Sequence, residues 1–313
     1  MLKRFFPVLL AAVMLLGGCS LSEEKPESDK LQVVTTIFPA YDFARQVFGD
    51  TADVTLLLKP GMESHSYDPS ARDIVKIDSC DLFIYNGGES DAWVENVLKS
   101  ADEVNALRMM DAVEALEEDS EGIAEAEEHD RDEDTEYDEH IWTSPKNAAL
   151  IVESIKQAAV AIAPQNKALY ESVAGEYAAE IDALDEKFTE LLADEERIFV
   201  FGDRFPLLYF FRGYGLNYLA AFPGCGSETE PSAQTIAALA ERLSGSGTVP
   251  AVFCIELSGR KLAETLANEN AFPVAEFHTC HNITADDFAA GESYVSLMER
   301  NFQMLENILT NGG

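Results

Sequence analysis

One run constrains the fold more than any other: residues 165–196, QNKALYESVAGEYAAEIDALDEKFTELLADEE. It follows Pro164, is rich in strong helix formers and is almost free of breakers. As one helix over 164–194 it predicts a rod of about 45 Å, the length of a domain rather than of a local element. Such a rod must lie between folded units or along them.

Both flanks carry alternating strand and helix patterns. On the N-terminal side, LQVVTTIFPA reads as a strand broken at Pro39, and Tyr41–Val47 as a helix stopped at Gly49. ADVTLLLKPGMESH gives a strand, a Pro-Gly turn and a loop carrying His65. Pro69 and Ser70 open the helix SARDIVKIDSC, DLFIYNGG is a strand, AWVENVLKSA is a helix, and residues 146–163 form another. On the C-terminal side the strands are RIFVFGD, LNYLAAFPG, TVPAVFCIEL and FPVAEFHTC. The helices between them are FPLLYFFRGYG, SAQTIAALAERLSG and RKLAETLANEN, and a terminal helix starts at Tyr294. Glu228 and Glu230 stand where they would cap the helix near Pro231. Strands alternating with helices imply βαβ units. The fold class is therefore α/β: two βα lobes, 31–163 and 195–313, with mainly parallel sheets joined by one long rigid helix. Ligands of open α/β sheets bind at the carboxyl ends of the strands, which places the expected site in a cleft between the lobes.

The first 18 residues read as a processing signal. Lys3 and Arg4 precede a short apolar core, and LLGGC resembles a lipobox ending at Cys19, the expected lipidation site. Residues 19–30 are polar and suit a tether. The expected location is extracytoplasmic, lipid-anchored to the cell membrane at the cell surface or in the periplasm.

Residues 117–140, EEDSEGIAEAEEHDRDEDTEYDEH, are more than half Asp or Glu. With so little to bury, 117–139 is expected to be a disordered acidic loop, carrying His129. The formal net charge of −35 argues against nucleic acid and anionic lipid head groups as partners and favours cations. Of the five histidines, His65 and His140 belong to the first lobe and His278 and His281 to the second, and all four can converge on the cleft. Nothing resembles H-E-x-x-H, a nucleophile elbow or paired catalytic carboxylates, so a zinc-dependent hydrolase has no positive support. In an oxidising compartment Cys225 and Cys280, both in loop-like sequence, are candidates for a disulfide.

Four segments carry a family resemblance: VVTTIFPAYDFARQVFGD; LLLKPGMESHSYDPSARDIVKIDSCDLFIYNGGESDAWV; DEHIWTSPKNA; and SYVSLMERN in the terminal helix. The chain resembles the solute-binding lipoproteins of zinc/manganese-type ABC importers over essentially its whole mature length. The resemblance implies a non-enzymatic receptor that binds one Zn²⁺ between two lobes and delivers it to a cognate permease, with a monomer expected. It also permits a manganese-type protein or an adhesin. His65 and His140 match the first two family ligands. The third falls on Arg204 in FGDRFPLLYFFRGYGL, and a guanidinium cannot ligate. The fourth falls near His281. The expectation is that His278 and His281 together replace the lost ligand. Asp203 and Glu256 are further possible ligands, and Glu63, Asp138 and Glu139 are expected to support the imidazoles. A nitrogen-rich set favours Zn²⁺ over Mn²⁺.

Overall fold

The computed structural model describes residues 30–62, 67–101, 104–118, 122–124, 137–224 and 231–311. Its first sheet contains β1 (Leu31–Thr35), β2 (Ala52–Leu56), β3 (Leu82–Tyr85) and β4 (Ala106–Arg108), all parallel, in the order β2-β1-β3-β4. The connecting helices are α1 (Phe38–Phe48), α2 (Ala71–Asp78) and α3 (Ala92–Ser100). After the acidic stretch, α4 (Pro145–Ile162) runs into a short 3₁₀ turn at Pro164–Asn166 and then α5 (Lys167–Leu192). The second sheet repeats the plan. Strands β5 (Ile198–Phe205), β6 (Asn217–Pro223), β7 (Thr248–Ile255) and β8 (Val274–Phe277) are parallel in the order β6-β5-β7-β8. Helices α6 (Leu208–Tyr214), α7 (Ala233–Ser244), α8 (Lys261–Asn270), α9 (Ala285–Ala290) and α10 (Tyr294–Asn311) complete this lobe.

Local chemistry fixes several boundaries. Ser70 caps α2 through a reciprocal box with Asp73. The cap of α7 is Ser232, whose Oγ accepts from Gln234 N and Thr235 N; the expected caps, Glu228 and Glu230, lie outside the described residues. Gly215 ends α6 and Gly291 ends α9 in the left-handed conformation that a residue without Cβ adopts cheaply. The linking helix begins three residues later than expected because Pro164–Asn166 is a 3₁₀ turn. At 26 residues it is about 39 Å long.

The helix joins the lobes through one continuous apolar core. Tyr170, Tyr177, Ile181, Leu184 and Phe188 of α5 pack with Phe43 and Phe48 of α1 and with Phe210 and Tyr294 of the second lobe. At the seam sits Asp42, fully buried. Its Oδ2 accepts from Tyr177 Oη at 2.7 Å and from Tyr294 N at 2.8 Å, and its Oδ1 from Arg45 Nε at 2.7 Å. Arg45 also donates to the carbonyls of Gly291 and Glu292. One carboxylate thus ties α1, α5 and α10 together. Among the described residues no helix is long and apolar enough to cross a membrane.

The acidic stretch is more anchored than its composition predicts. Glu117 pairs with Tyr137 as an isolated antiparallel bridge, and Ile123 pairs with Ala220 of β6, the edge strand of the other lobe. Ala124 N donates to Ala220 O at 2.9 Å, and Ala220 N donates to Gly122 O at 2.8 Å. Ala124 is buried in the second-lobe core. Gly122 has φ +86°, and a Cβ there would sit 2.8 Å from the Tyr218 ring. Residues 119–121 and 125–136, with His129, lie outside the described residues.

Replacing Asp42 by Ala removes the shared acceptor and strands several buried donors. The expected loss is about 3–5 kcal/mol in urea denaturation. Asp53→Ala, which breaks an exposed pair with Lys30, is expected to change stability by at most about 1 kcal/mol.

Candidate metal centre

The two lobes face each other across a cleft of about 190 Å³, lined by Met62 and His140 from the first lobe and by Arg204, Glu256, Thr279 and His281 from the second, among others. His140 is fully buried at the start of a 3₁₀ turn, Ile141–Thr143. Asp138 fixes it twice: Oδ1 accepts His140 N at 2.7 Å and lies 3.2 Å from Nδ1. Burial pulls the His140 pKa down, but the adjacent Asp138 carboxylate outweighs it and holds the imidazole above its ordinary value. A carboxylate on Nδ1 favours the proton there, turning Nε2 into the donor nitrogen.

Glu139 faces away from the cleft. Ser90 donates to it through both N and Oγ, and Asn86 Nδ2 donates to its carbonyl at 2.8 Å. Gly88, at φ +99°, lets this side chain pass; a Cβ there would approach Glu139 Oε2 to 2.7 Å. Asp91 holds the same loop by accepting from Asn86 N and Gly87 N.

His281 lies on the loop after β8, and its ring is 5.3 Å from that of His140, centroid to centroid, in an edge-to-face arrangement. The loop is braced from below by Glu256, which accepts from Thr279 N at 2.7 Å and Thr279 Oγ1 at 2.6 Å. Thr279 Oγ1 in turn accepts from His281 N. From the other lobe, Trp142 Nε1 donates to Thr279 O at 2.9 Å, and its ring lies 5.0 Å from His281. Gly61 N donates to Ile283 O, and Asn282 Nδ2 donates to Met62 O. The loop leading toward His65 is therefore bonded to the loop carrying His281.

His278 does not share this position. Its Nδ1 accepts from Cys280 N at 3.0 Å, so the lone pair of that nitrogen is spent on backbone. His278 is absent from the cleft lining. The reason is the turn: Cys280 has φ +61°, a left-handed kink that breaks the helical path a shared i, i+3 site requires. Asp203 is engaged by backbone. Its oxygens accept from Arg204 N and Ile255 N, stitching the irregular end of β5 to β7. Glu256 lines the cleft but spends both oxygens on Thr279. Cys280 is a fully buried thiol whose pKa burial pushes well up, and its expected partner Cys225 lies outside the described residues. His65, Glu63, Cys225 and Cys19 lie outside the described residues. Among the described residues no three His, Cys, Asp or Glu side chains converge on one point; His140 and His281 stand as a pair. Sequence reasoning missed the bracing role of Thr279; its only signal was a hydroxyl beside the histidines.

Comparison with known proteins shows the family. The profile described as ZnuA, zinc-uptake complex component A periplasmic, matches residues 33–308. The chain belongs to that family. It is 32% identical over 311 residues to the zinc-binding lipoprotein AdcA of Streptococcus pneumoniae, covering 98% of this chain and 61% of that protein. It thus spans about six-tenths of the length of this relative. It is 31% identical over 311 residues to the high-affinity zinc uptake system protein ZnuA of Bacillus subtilis, covering 96% of each. The crystal structure of the Zn(II)-bound ZnuA-like domain of Streptococcus pneumoniae AdcA superposes with a TM-score of 0.73 at 30% identity, covering 90% of this chain and 99% of that one. Two parallel α/β lobes and a long linking helix are the family architecture.

The Asp91 carboxyl is displaced upward by burial, to about 6 from an ordinary 3.8, against the lowering effect of its backbone donors. A raised carboxyl pKa means that the folded state binds the extra proton. This stabilisation is full below pH 3.8 and disappears as pH rises through about 6. The stability advantage of the native protein over Asp91→Asn should therefore shrink between pH 4 and pH 7, about the window those two values set, as read by urea midpoints.

Proposed function

We propose that this chain is the extracytoplasmic metal receptor of an ABC importer. It binds one Zn²⁺ between its lobes and hands it to a cognate permease. The observation that carries the reading is the His140–His281 pair: two imidazoles from different lobes, edge to face at 5.3 Å, in a cleft of about 190 Å³. His65 is proposed as a third nitrogen donor on its motif, G-M-E-S-H-S-Y-D-P-S. His278 takes a positioning role behind His281, and Glu256 acts through Thr279. Glu63 remains a candidate support for His65. Imidazole nitrogen suits Zn²⁺ better than Mn²⁺, which takes more oxygen.

The protein acts by binding, not by turnover. It works as a monomer held to the membrane by a lipid on Cys19, with residues 19–30 as the tether. The solute is a divalent cation, in keeping with the net charge of −35.

Competitive titration of the mature domain with Zn²⁺ and Mn²⁺ tests this. One Zn²⁺ per chain is expected, with sub-micromolar affinity, and its loss in a His65→Ala/His140→Ala variant. Tighter Mn²⁺ than Zn²⁺ binding would overturn the assignment. The same assay separates the second-lobe histidines. His281→Ala should weaken zinc by more than about 100-fold, as expected for a lost donor, whereas His278→Ala, a positioning residue, should weaken it by about 100-fold at most. The His278→Ala cost should instead appear as about 1–3 kcal/mol of stability, from the stranded Cys280 N–H.

A further inference from the structure

Moving two lobes apart breaks only the contacts that cross between them. If the first lobe alone set His140, opening the cleft would withdraw His281 and leave His140 as firmly placed as before. The second lobe, however, reaches the group that sets it. Asp138, which fixes His140 at its backbone N–H and at Nδ1, stands at the returning end of the acidic stretch. Asp138 N donates to Leu116 O at 2.9 Å, so the two ends of the stretch are paired. Tyr209 of α6, in the second lobe and only 4% exposed, bonds both ends with one hydroxyl. Its Oη donates to Asp138 O at 2.9 Å and accepts from Leu116 N at 2.9 Å. Ile123 and Ala124 carry the same stretch onto the edge of β6. The imidazole of the second lobe is held in the mirror sense: Trp142 of the first lobe donates to Thr279 O, and Thr279 Oγ1 accepts from His281 N.

Resting on the zinc reading above, we propose that Tyr209 is a positioning residue for His140, through which the second lobe makes the first lobe's imidazole a tight donor. A buried hydroxyl that both donates and accepts is satisfied in one position, and so is the Asp138 carbonyl it holds. With the lobes together, Asp138 keeps the ring proton on Nδ1 and leaves Nε2 as the donor nitrogen. With the lobes apart, Asp138 O and Leu116 N lose their shared partner, and the turn carrying Asp138 and His140 relaxes. Separation thus weakens both imidazole donors rather than one, and the ion is released instead of being retained on the first lobe. The coupling needs only Asp138 and His140, whatever other donors the ion takes. By linkage, zinc strengthens the Tyr209 contacts by the same factor by which those contacts strengthen zinc binding.

Tyr209→Phe removes the hydroxyl and keeps the ring. Its matched control is Tyr170→Phe, which deletes another buried hydroxyl with two partners, Thr51 Oγ1 and Asn166 Nδ2, near the start of α5. Zinc affinity, the rate of zinc loss to a chelator and the urea midpoint are measured for the native chain and both variants. Tyr209→Phe should bind zinc about tenfold more weakly and lose it correspondingly faster. Tyr170→Phe should bind zinc as the native chain does, at a comparable loss of stability. Ring orientation is read separately, from the ¹⁵N shifts of the His140 imidazole in the zinc-free protein. The proton should sit on Nδ1 in the native chain and in Tyr170→Phe, and Tyr209→Phe should shift toward a mixture of the two tautomers. Native affinity with native ring shifts in Tyr209→Phe, or an equal loss of affinity in Tyr170→Phe, overturns the proposal and leaves the zinc receptor standing. Should Tyr209→Phe not fold, hydrogen exchange in the native chain decides: zinc must slow the Leu116 amide, which donates to Tyr209, more than the amides of α8, and equal slowing overturns the proposal. Absence of zinc binding by the native chain overturns both.

Discussion

Asp42 lies where α1, α5 and the first turn of α10 meet, fully buried. A carboxylate in that position costs several kcal/mol unless donors surround it. Tyr177, Tyr294 and Arg45 do so, and each comes from a different part of the seam or reaches across it. The consequence is orientational. Apolar burial would hold the lobes together in many registers, but a carboxylate with fixed donors is satisfied in one. The relative position of His140 and His281, which sit on opposite lobes, depends on that register.

The cleft is built in layers from this frame. Each imidazole facing it is set by a carboxylate and by backbone: His140 directly by Asp138, His281 through Thr279 and Glu256. The lobes are also laced at the cleft itself, by Trp142 to Thr279 and by the Gly61 and Asn282 hydrogen bonds. Tyr209 of α6 holds the base of the acidic stretch from the opposite side, accepting from Leu116 N and donating to Asp138 O. The residue that orients His140 is thereby held by the second lobe. Ile123 and Ala124 extend this contact to the edge of β6, so the acidic stretch is moored to both lobes at its described points.

Much of the fold was legible from local pattern. The long helix, the alternation of apolar strands with amphipathic helices, and the Ser70 box all depend on neighbours within a few residues. Short elements were not legible. Strand β4, only Ala106–Arg108, and α9, only Ala285–Ala290, carry too little periodicity to stand out. The mooring of Ile123 and Ala124 was hidden for a different reason: their partner Ala220 lies far along the chain, and the surrounding acids dominate the composition.

The sequence by itself determined the two-lobe α/β architecture, the family, and the candidacy of histidine at four positions. Which imidazoles share a cleft was decided by tertiary structure. His278 and His281 are equivalent by residue type and nearly so by position. A left-handed Cys280 turns one toward the opposite lobe and leaves the other accepting a backbone N–H. Backbone sign and the direction of a ring lone pair depend on packing around a buried turn, and residue spacing carries no record of them.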